Sequence, residues 1–240
     1  MFKNRDSYRN ICGRDDLFSY KVTVKETNLF VMTDKFLEKE IIEIILKHRG
    51  HLENYMDANP GFMTALVPWH SDQFAPPIVR AMIEAGSIAC VGPMAAVAGS
   101  VSQFVGEDLS AFSSDVFIEN GGDIYIRTTK PVTIGLFAGK SPLSGKIGLK
   151  FQPGPPFGVC TSSGTVGHSL SFGKADAICI YSSSCSLADA AATAVGNIIK
   201  KPADIQPALE MAKNIPGVKG ALVVLGKQMG GWGDMEIVPL

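Results

Sequence analysis

The sequence has no excess of charge of either sign. Its 240 residues include 22 Lys and Arg and 23 Asp and Glu, which gives a formal net charge of −1 at pH 7. Proteins that bind nucleic acids usually carry a strongly basic face, so we expect no nucleic-acid partner. The chain is 46% hydrophobic and 19% charged, a balance typical of a folded protein with a sizeable core.

Long apolar runs are also missing. A helix that crosses a membrane needs about 18 or more predominantly apolar residues, whereas Gly, Ser or Asp interrupts the apolar stretches of this chain. The first residues, MFKNRDSYRNICGRDD, are polar and charged, unlike the apolar core of a secretory leader. We therefore expect a cytoplasmic protein with no membrane partner.

Cysteine pairs with metal-binding spacing are absent as well. The sequence has five cysteines, an odd number, and no two of them form a Cys-x-x-Cys pair. Zinc and iron–sulfur sites are therefore not expected, and free thiols are the default in a cytosolic chain. Cys160 precedes a Thr-Ser-Ser-Gly segment, whose amides could lower its thiol pKa. The alternative is a buried, unreactive cysteine.

Hydrophobic periodicity and turn residues predict strands and helices in mixed order within a single domain, residues 1–240. The predicted strands are 17–24, 27–32, 116–119, 123–128, 131–138, 177–181, 218–225 and 235–238, the last two closing the sheet. The predicted helices are 34–56, 76–85, 92–108, 187–200 and 204–213. Asp34 is the expected N-cap of the first helix, and Gly86 is expected to end the second. Hairpins combined with long helices favour the α+β class.

The predicted helix 187–200 contains one carboxylate, Asp189, and Thr193 follows it four residues later. Residues at i and i+4 share a helix face, so the Asp189 carboxylate and the Thr193 hydroxyl should point the same way. Mg²⁺ commonly takes a few oxygen ligands from the protein and the rest from phosphates and water. The alternative is an acidic residue that only complements the helix dipole beside a hydroxyl packed in the core.

Two glycine-containing segments and one histidine are further candidates for a binding site. Asn120, Gly121, Gly122 and Asp123 lie between two predicted strands, as in a tight hairpin turn. Their backbone N–H groups could face a phosphate, or Asp123 could simply be held by turn amides. Thr161, Ser162, Ser163 and Gly164 form a second polar turn, and His168 follows in a polar segment. Its ordinary pKa suits acid–base chemistry, although a loop hydrogen bond would also explain it.

Four longer blocks carry a resemblance to a known family. They are GPMAAVAG at residues 92–99, ENGGDIYI at 119–126, CTSSGTVGHSLSFGKADA at 160–177 and LADAAATAVGN at 187–197. Together they resemble the ApbE-like superfamily, whose best-known members are FAD:protein FMN transferases. The chain is most similar to a short, uncharacterised prokaryotic (UPF) branch of that superfamily, over nearly its whole length. The resemblance implies an α+β, T-fold-related architecture with an antiparallel or mixed sheet packed against helices.

The resemblance also implies a ligand, a cation and residue roles. In the transferases, a Gly-Gly-Asp turn and a Thr-Ser-Gly turn border the flavin nucleotide; residues 120–123 and 161–164 match these turns. Mg²⁺ is bound there by an Asp and a Thr that match Asp189 and Thr193, and by a backbone carbonyl whose nearest counterpart is Ala96. FAD, FMN or a related nucleotide is therefore the expected ligand. His168 would move a proton in a nucleotidyl or phosphoryl transfer or hydrolysis.

The chain departs from the transferases in two places. Their Lys-Gly-Tyr-Ala-x-Asp pattern is replaced by Pro-Met-Ala-Ala-Val-Ala at residues 93–98, which removes both charged residues. The Asp-Pro that follows their histidine is replaced by Ser171 and Phe172. The residues that match the metal pair and the glycine turns are kept.

Two other functions are compatible with the same residues. Some members of the branch in anaerobes are linked to the formation of homocysteine from sulfide, and Cys160 would then carry sulfur as a persulfide. The third hypothesis is a non-enzymatic ligand carrier or scaffold. The small residues of the 94–99 segment would suit close packing of subunits in a homo-oligomer.

Overall fold

The computed structural model describes residues 14–164 and 173–240. Within them, eleven strands and five α-helices form an α+β fold, which confirms the predicted class. The strands are β1 (Phe18–Val24), β2 (Thr27–Thr33), β3 (Val116–Asn120), β4 (Asp123–Arg127), β5 (Val132–Gly135), β6 (Ile147–Phe151), β7 (Phe157–Ser162), β8 (Ala177–Ser182), β9 (Val218–Leu225), β10 (Gln228–Gly233) and β11 (Glu236–Pro239). The helices are α1 (Glu38–Ala58), α2 (Pro77–Ala89), α3 (Val97–Leu109), α4 (Cys185–Ile198) and α5 (Ile205–Asn214).

The main sheet has eight strands in the order β1-β2-β3-β4-β7-β8-β9-β10. Each neighbouring pair runs antiparallel. A second, smaller antiparallel sheet has the order β11-β6-β5. The C-terminal strand therefore joins the smaller sheet through β6, and the expectation that it closes the main sheet is wrong.

The two faces of the main sheet contribute to different cores. Ile118 and Ile180 pack with side chains of the five helices in one buried cluster. Phe117 and Cys179, their neighbours along β3 and β8, pack with the smaller sheet in the other. This alternation follows from the two-residue period of a strand. The fold thus has three layers, and the helix face of the main sheet holds most of the candidate site.

Two predicted helix boundaries are wrong. Helix α1 begins at Glu38 after Leu37, which makes no side-chain capping hydrogen bond. Asp34 instead accepts a hydrogen bond from the Ser114 amide at 2.8 Å. Helix α2 continues through Gly86 to Ala89, and its C-cap is Cys90, whose φ is 57°. A Cβ at Gly86 would lie 2.8 Å from the Val91 carbonyl oxygen, so the glycine permits a close return of the chain rather than a helix end.

The predicted helix 92–108 consists of a 3₁₀ turn, Pro93–Ala96, followed by α3. In the described part of the chain, no single helix is long and apolar enough to cross a membrane. The pair Pro77–Ala89 and Pro93–Leu109 passes that test together by length and composition, with a bend of 106° between its members.

Candidate functional site

Helix α4 presents one narrow polar face. From Cys185 to Gly196, only Asp189 and Thr193 are partly exposed, and the residues around them are buried. The Ser184 hydroxyl caps the helix by accepting a hydrogen bond from the Leu187 amide at 3.2 Å. The two side chains expected to share a helix face therefore do so, and small buried residues surround them.

The N-terminus of α3 meets this face of α4. Gly99 donates its backbone N–H to Asp189 Oδ2 at 2.8 Å, and the Ala98 amide also hydrogen-bonds to the carboxylate. The first amides of a helix have no partner within the helix and carry partial positive charge. The Asp189 carboxylate therefore satisfies amides of a neighbouring helix. Sequence reasoning missed this contact, for which the only signal is a glycine within a run of small residues.

Gly99 is required for this contact. An added Cβ would lie 2.4 Å from the Cys185 carbonyl oxygen and 2.7 Å from the Asp189 Cβ. No side chain fits at these distances, so glycine permits the close approach of the two helices.

The glycine turn reaches the same point from the sheet. Gly121 and Gly122 connect β3 to β4 with φ values of +70° and +110°, the left-handed conformation of a two-residue hairpin turn. The Asn120 side-chain amide donates to the Ala98 carbonyl oxygen at 3.3 Å. The Gly122 amide donates to Glu119 Oε1 at 2.8 Å. The turn is thus joined to the start of α3, and one of its amides already has a protein partner.

Asp123 and Asp189 influence each other's ionisation. Asp123 is buried, and burial is the main cause that raises its carboxyl pKa; the charge of Asp189 raises it further. Burial also raises the pKa of Asp189 to about 7, against the opposing effect of the amide hydrogen bonds. At neutral pH, the two carboxyls therefore resist ionising together. A bound cation would favour the ionised form of both.

The second predicted turn starts later than expected. Thr161 and Ser162 belong to β7, so that part of the turn prediction is wrong. The Thr161 amide donates to the Gly122 carbonyl oxygen at 3.2 Å, which ties β7 to the glycine turn. Ser163 follows the strand, and the Gly164 amide donates to the Ala175 carbonyl oxygen at 2.9 Å. Thr161 and Ser162, at the end of β7, therefore lie beside the glycine turn that connects β3 to β4.

Cys160 lies behind these residues in the core. It is fully buried, with its sulfur 3.5 Å from that of Cys185. Burial is the main cause that raises the pKa of both thiols. Of the two alternatives, a Cys160 pKa lowered by neighbouring amides is wrong, and a buried thiol agrees with the structure.

The remaining predicted site residues are Ala96 and His168. Ala96 is fully buried and immediately precedes α3. His168 lies outside the described residues. In residues 14–164 and 173–240, no three His, Cys, Asp or Glu side chains are grouped so that they could hold a metal ion. A cation at Asp189 and Thr193 would therefore need most of its ligands from elsewhere.

Comparison with known proteins agrees with this architecture. The family model described as AbpE bacteria matches residues 9–231. A UPF0280 protein of Methanococcus aeolicus is 43% identical over 223 residues, covering 90% of each chain. A UPF0280 protein of Methanocaldococcus jannaschii is 43% identical over 220 residues, covering 89% of each. The flavin transferase ApbE from Vibrio cholerae superposes with a TM-score of 0.61 at 10% identity, covering 91% of this chain and 97% of its own.

The fold and the family match define the class: this is an ApbE-like protein with the α+β fold of that superfamily. The chain belongs to the AbpE bacteria family, and its curated relatives are UPF0280 proteins. The resemblance predicted from the four sequence blocks is confirmed.

Proposed function

We propose that this protein binds a flavin nucleotide, or a related phosphate-bearing nucleotide, together with Mg²⁺. The ligand would lie between the glycine turn at Gly121 and Gly122 and the polar face of α4. The chemistry we propose is Mg²⁺-dependent nucleotidyl or phosphoryl transfer or hydrolysis. The Vibrio cholerae protein that shares this fold is a flavin transferase, which supports a flavin ligand for this chain as well.

One observation carries the proposal: two segments that are far apart in the chain meet at the start of α3. Asp189 of α4 accepts a hydrogen bond from the Gly99 amide at 2.8 Å. Asn120, beside the glycine turn, donates one to the Ala98 carbonyl oxygen at 3.3 Å. The residues predicted to bind metal and those predicted to bind nucleotide are thus attached to consecutive residues of one helix. This arrangement supports a single site rather than two unrelated ones.

The chemistry of the donor groups fits Mg²⁺. Asp189 and Thr193 supply oxygen ligands on one partly exposed helix face, and Mg²⁺ usually keeps water and takes substrate phosphates in addition. When bound, Mg²⁺ supplies neutralisation of charge on phosphate oxygens. Asp189 would bind the cation through its carboxylate, which the hydrogen bond from the Gly99 amide holds rigidly. Thr193 would add its hydroxyl from one turn further along α4.

Other residues would position the nucleotide and move the proton. The glycine turn offers a surface without side chains against which a phosphate or a flat ring can lie. Thr161 and Ser162 would supply hydroxyl groups from β7, with Ser163 and Gly164 just beyond. In this proposal His168 transfers a proton to or from the leaving group. The charged residues of the transferase pattern are missing from 93–98, so we propose chemistry on the nucleotide itself rather than transfer of flavin to a protein.

A thermal-shift experiment tests the proposal. The full chain is heated with FAD, FMN, ADP or ATP, each with and without Mg²⁺. We expect at least one nucleotide to raise Tm only when Mg²⁺ is present, because ligands that bind the folded state stabilise it. The matched variant Thr193→Val keeps the shape of the side chain but removes the oxygen, and it should lose the Mg²⁺-dependent part of the shift.

Two outcomes would count against the proposal. Lack of any Mg²⁺-dependent shift with all four nucleotides would remove nucleotide binding of this kind. Binding without turnover, unaffected by Asp189→Ala, would favour the carrier or scaffold. The sulfur-carrier hypothesis has no structural support of this kind, because Cys160 is fully buried and its thiol pKa is raised.

A further inference from the structure

A cavity lies on the opposite side of the main sheet from α4. It has a volume of about 380 Å³ and opens where the ends of β6 and β11 meet β7, β8 and β9. Ligand sites in proteins commonly range from about 300 to 1,000 Å³, so this cavity suits a small molecule. Its lining includes Lys150, Phe151, Phe157, Tyr181, Lys219, Asp234, Met235 and Glu236, with residues 152–155 at its edge.

The floor of the cavity is aromatic. The ring centroids of Phe151 and Phe157 are 5.0 Å apart, and the Tyr181 ring lies 5.0 Å from the first and 5.5 Å from the second. Both phenylalanines are buried, while Tyr181 is partly exposed. The floor is therefore apolar and fixed by packing, and Tyr181 is the ring that a ligand would contact.

Charges of both signs surround this floor. Lys150 and Glu236 already form an ion pair, at 3.3 Å. The Lys219 ammonium lies over the Tyr181 ring, 5.9 Å from its centroid. Asp234 is close enough for its charge to add to the rise that burial causes in the Tyr181 pKa. In the parts of the chain that are described, no ion pair within 4.0 Å involves Lys219 or Asp234.

We propose that this cavity binds a free α-amino acid with an apolar or aromatic side chain. A cation and an anion on the same aromatic surface, neither of them in an ion pair with a described residue, complement a small zwitterion. The Asp234 carboxylate would accept a hydrogen bond from the ligand ammonium, and the Lys219 ammonium would donate one to the ligand carboxylate. The side chain of the ligand would rest on Tyr181 and Met235. Asp234 and Glu236 would repel a purely anionic ligand, and Lys150 and Lys219 would repel a purely cationic one.

Calorimetric titration of the full chain with L-phenylalanine and L-leucine tests the proposal. We expect both to bind. Phenylalaninamide, which lacks the carboxylate, and N-acetyl-L-phenylalanine, which lacks the ammonium, should each bind about fivefold more weakly or worse, because each loses one exposed charge pair. Lys219→Gln should weaken the binding of L-phenylalanine but hardly change the binding of phenylalaninamide. Asp234→Asn should weaken the binding of L-phenylalanine but hardly change the binding of the N-acetyl derivative.

The controls separate this site from the nucleotide site. Lys227→Gln changes an exposed lysine in the β9–β10 turn that does not line the cavity, and it should leave amino-acid binding unchanged. Asp189→Asn, on the other side of the sheet, should also leave it unchanged. The proposal is overturned if neither amino acid binds at millimolar concentration, or if both bind equally well to Lys219→Gln and Asp234→Asn.

Discussion

The carboxylate of Asp189 and the backbone amide of Gly99 are joined by a 2.8 Å hydrogen bond between residues 90 positions apart in the chain. The bond brings the polar face of α4 to the first turn of α3. It satisfies a helix-terminal amide, and it also fixes the only acidic side chain of α4 at the candidate site. The same contact therefore serves the fold and, in our proposal, the binding of the cation.

Gly99→Ala tests how tightly the two helices fit. The added methyl group would lie 2.4 Å from the Cys185 carbonyl oxygen, so we expect a loss of about 1–3 kcal/mol in unfolding free energy, as for other overpacked sites. Gly50→Ala is the matched control, because Gly50 lies within α1 and its Cβ would meet nothing within 4 Å. That change should stabilise by about 0.5–1 kcal/mol. Urea unfolding of both variants measures the two changes in unfolding free energy. An equal change in both would contradict the close contact of α3 and α4 at Gly99.

Asp189→Asn tests the electrostatics of the site. In the folded protein, the Asp189 pKa is raised to about 7, whereas an unfolded chain has about 3.9. A raised acid pKa means that the folded state binds the proton more tightly than the unfolded state. Stability therefore falls as pH rises between the two pKa values, and the loss of stability is largest above the higher one. Asn can still accept the Gly99 N–H but carries no charge.

We therefore expect Asp189→Asn to be more stable than the native protein at about pH 8, by on the order of 1–3 kcal/mol, with the difference vanishing near about pH 4. Unfolding curves across this range, without added metal, give the comparison. A variant that is less stable at every pH would show that the carboxylate charge stabilises the folded chain.

Cysteine reactivity should separate the buried thiols from Cys90. Cys90 is exposed, whereas Cys160 and Cys185 are buried, and burial raises the pKa of the Cys160 and Cys185 thiols. Since the thiolate is the reactive form, iodoacetamide at neutral pH should label Cys90 before Cys160 and Cys185. Peptide mapping should find Cys160 and Cys185 labelled only after unfolding. Rapid labelling of Cys160 in the folded protein would revive the sulfur-carrier hypothesis.

Arg14 holds the residues before β1 against the β3–β4 hairpin. It is buried and donates to Asp115 at 3.2 Å and to the Thr128 hydroxyl at 2.9 Å. Arg14→Leu should cost about 3 kcal/mol, because it removes one partner of a buried ion pair. Lys130→Gln removes an exposed partner of Asp16 and should cost less than about 1 kcal/mol. Thermal unfolding distinguishes the two variants. Similar small losses of stability in both would contradict the expectation that the buried ion pair matters more than the exposed one.

Local patterns predicted the local parts of the fold. Gly121 and Gly122 between two apolar runs predicted the β3–β4 hairpin, and the four-residue spacing of Asp189 and Thr193 predicted their shared face. Strands β6, β7 and β10 were missed, and each contains glycine, which weakens strand propensity. Their sequences, IGLKF, FGVCTS and QMGGWG, form strands through pairing with neighbouring strands of the two sheets. Helix α2 continues through Gly86, where the glycine makes room for the chain returning at Val91 and does not end the helix.

The assembly of the candidate site could be predicted only in part. The sequence blocks predicted which residues take part, but the contacts between them join distant segments. The Asn120 side chain meets Ala98 from 22 positions away, and the burial that raises the Asp123 pKa depends on the packing of the whole sheet. Neither leaves a periodic pattern in the sequence. The cavity beside Tyr181 likewise exists only because two sheets meet there.

The most direct test of the proposed cation and nucleotide site is a crystal structure of the protein with Mn²⁺ and a bound nucleotide, recorded for anomalous scattering by manganese. We expect one strong peak within about 2.5 Å of oxygens of Asp189 and Thr193, with phosphate oxygens completing the coordination beside Gly121. Nucleotide bound elsewhere, or bound at this cleft with no manganese at Asp189 and Thr193, would contradict the proposed site.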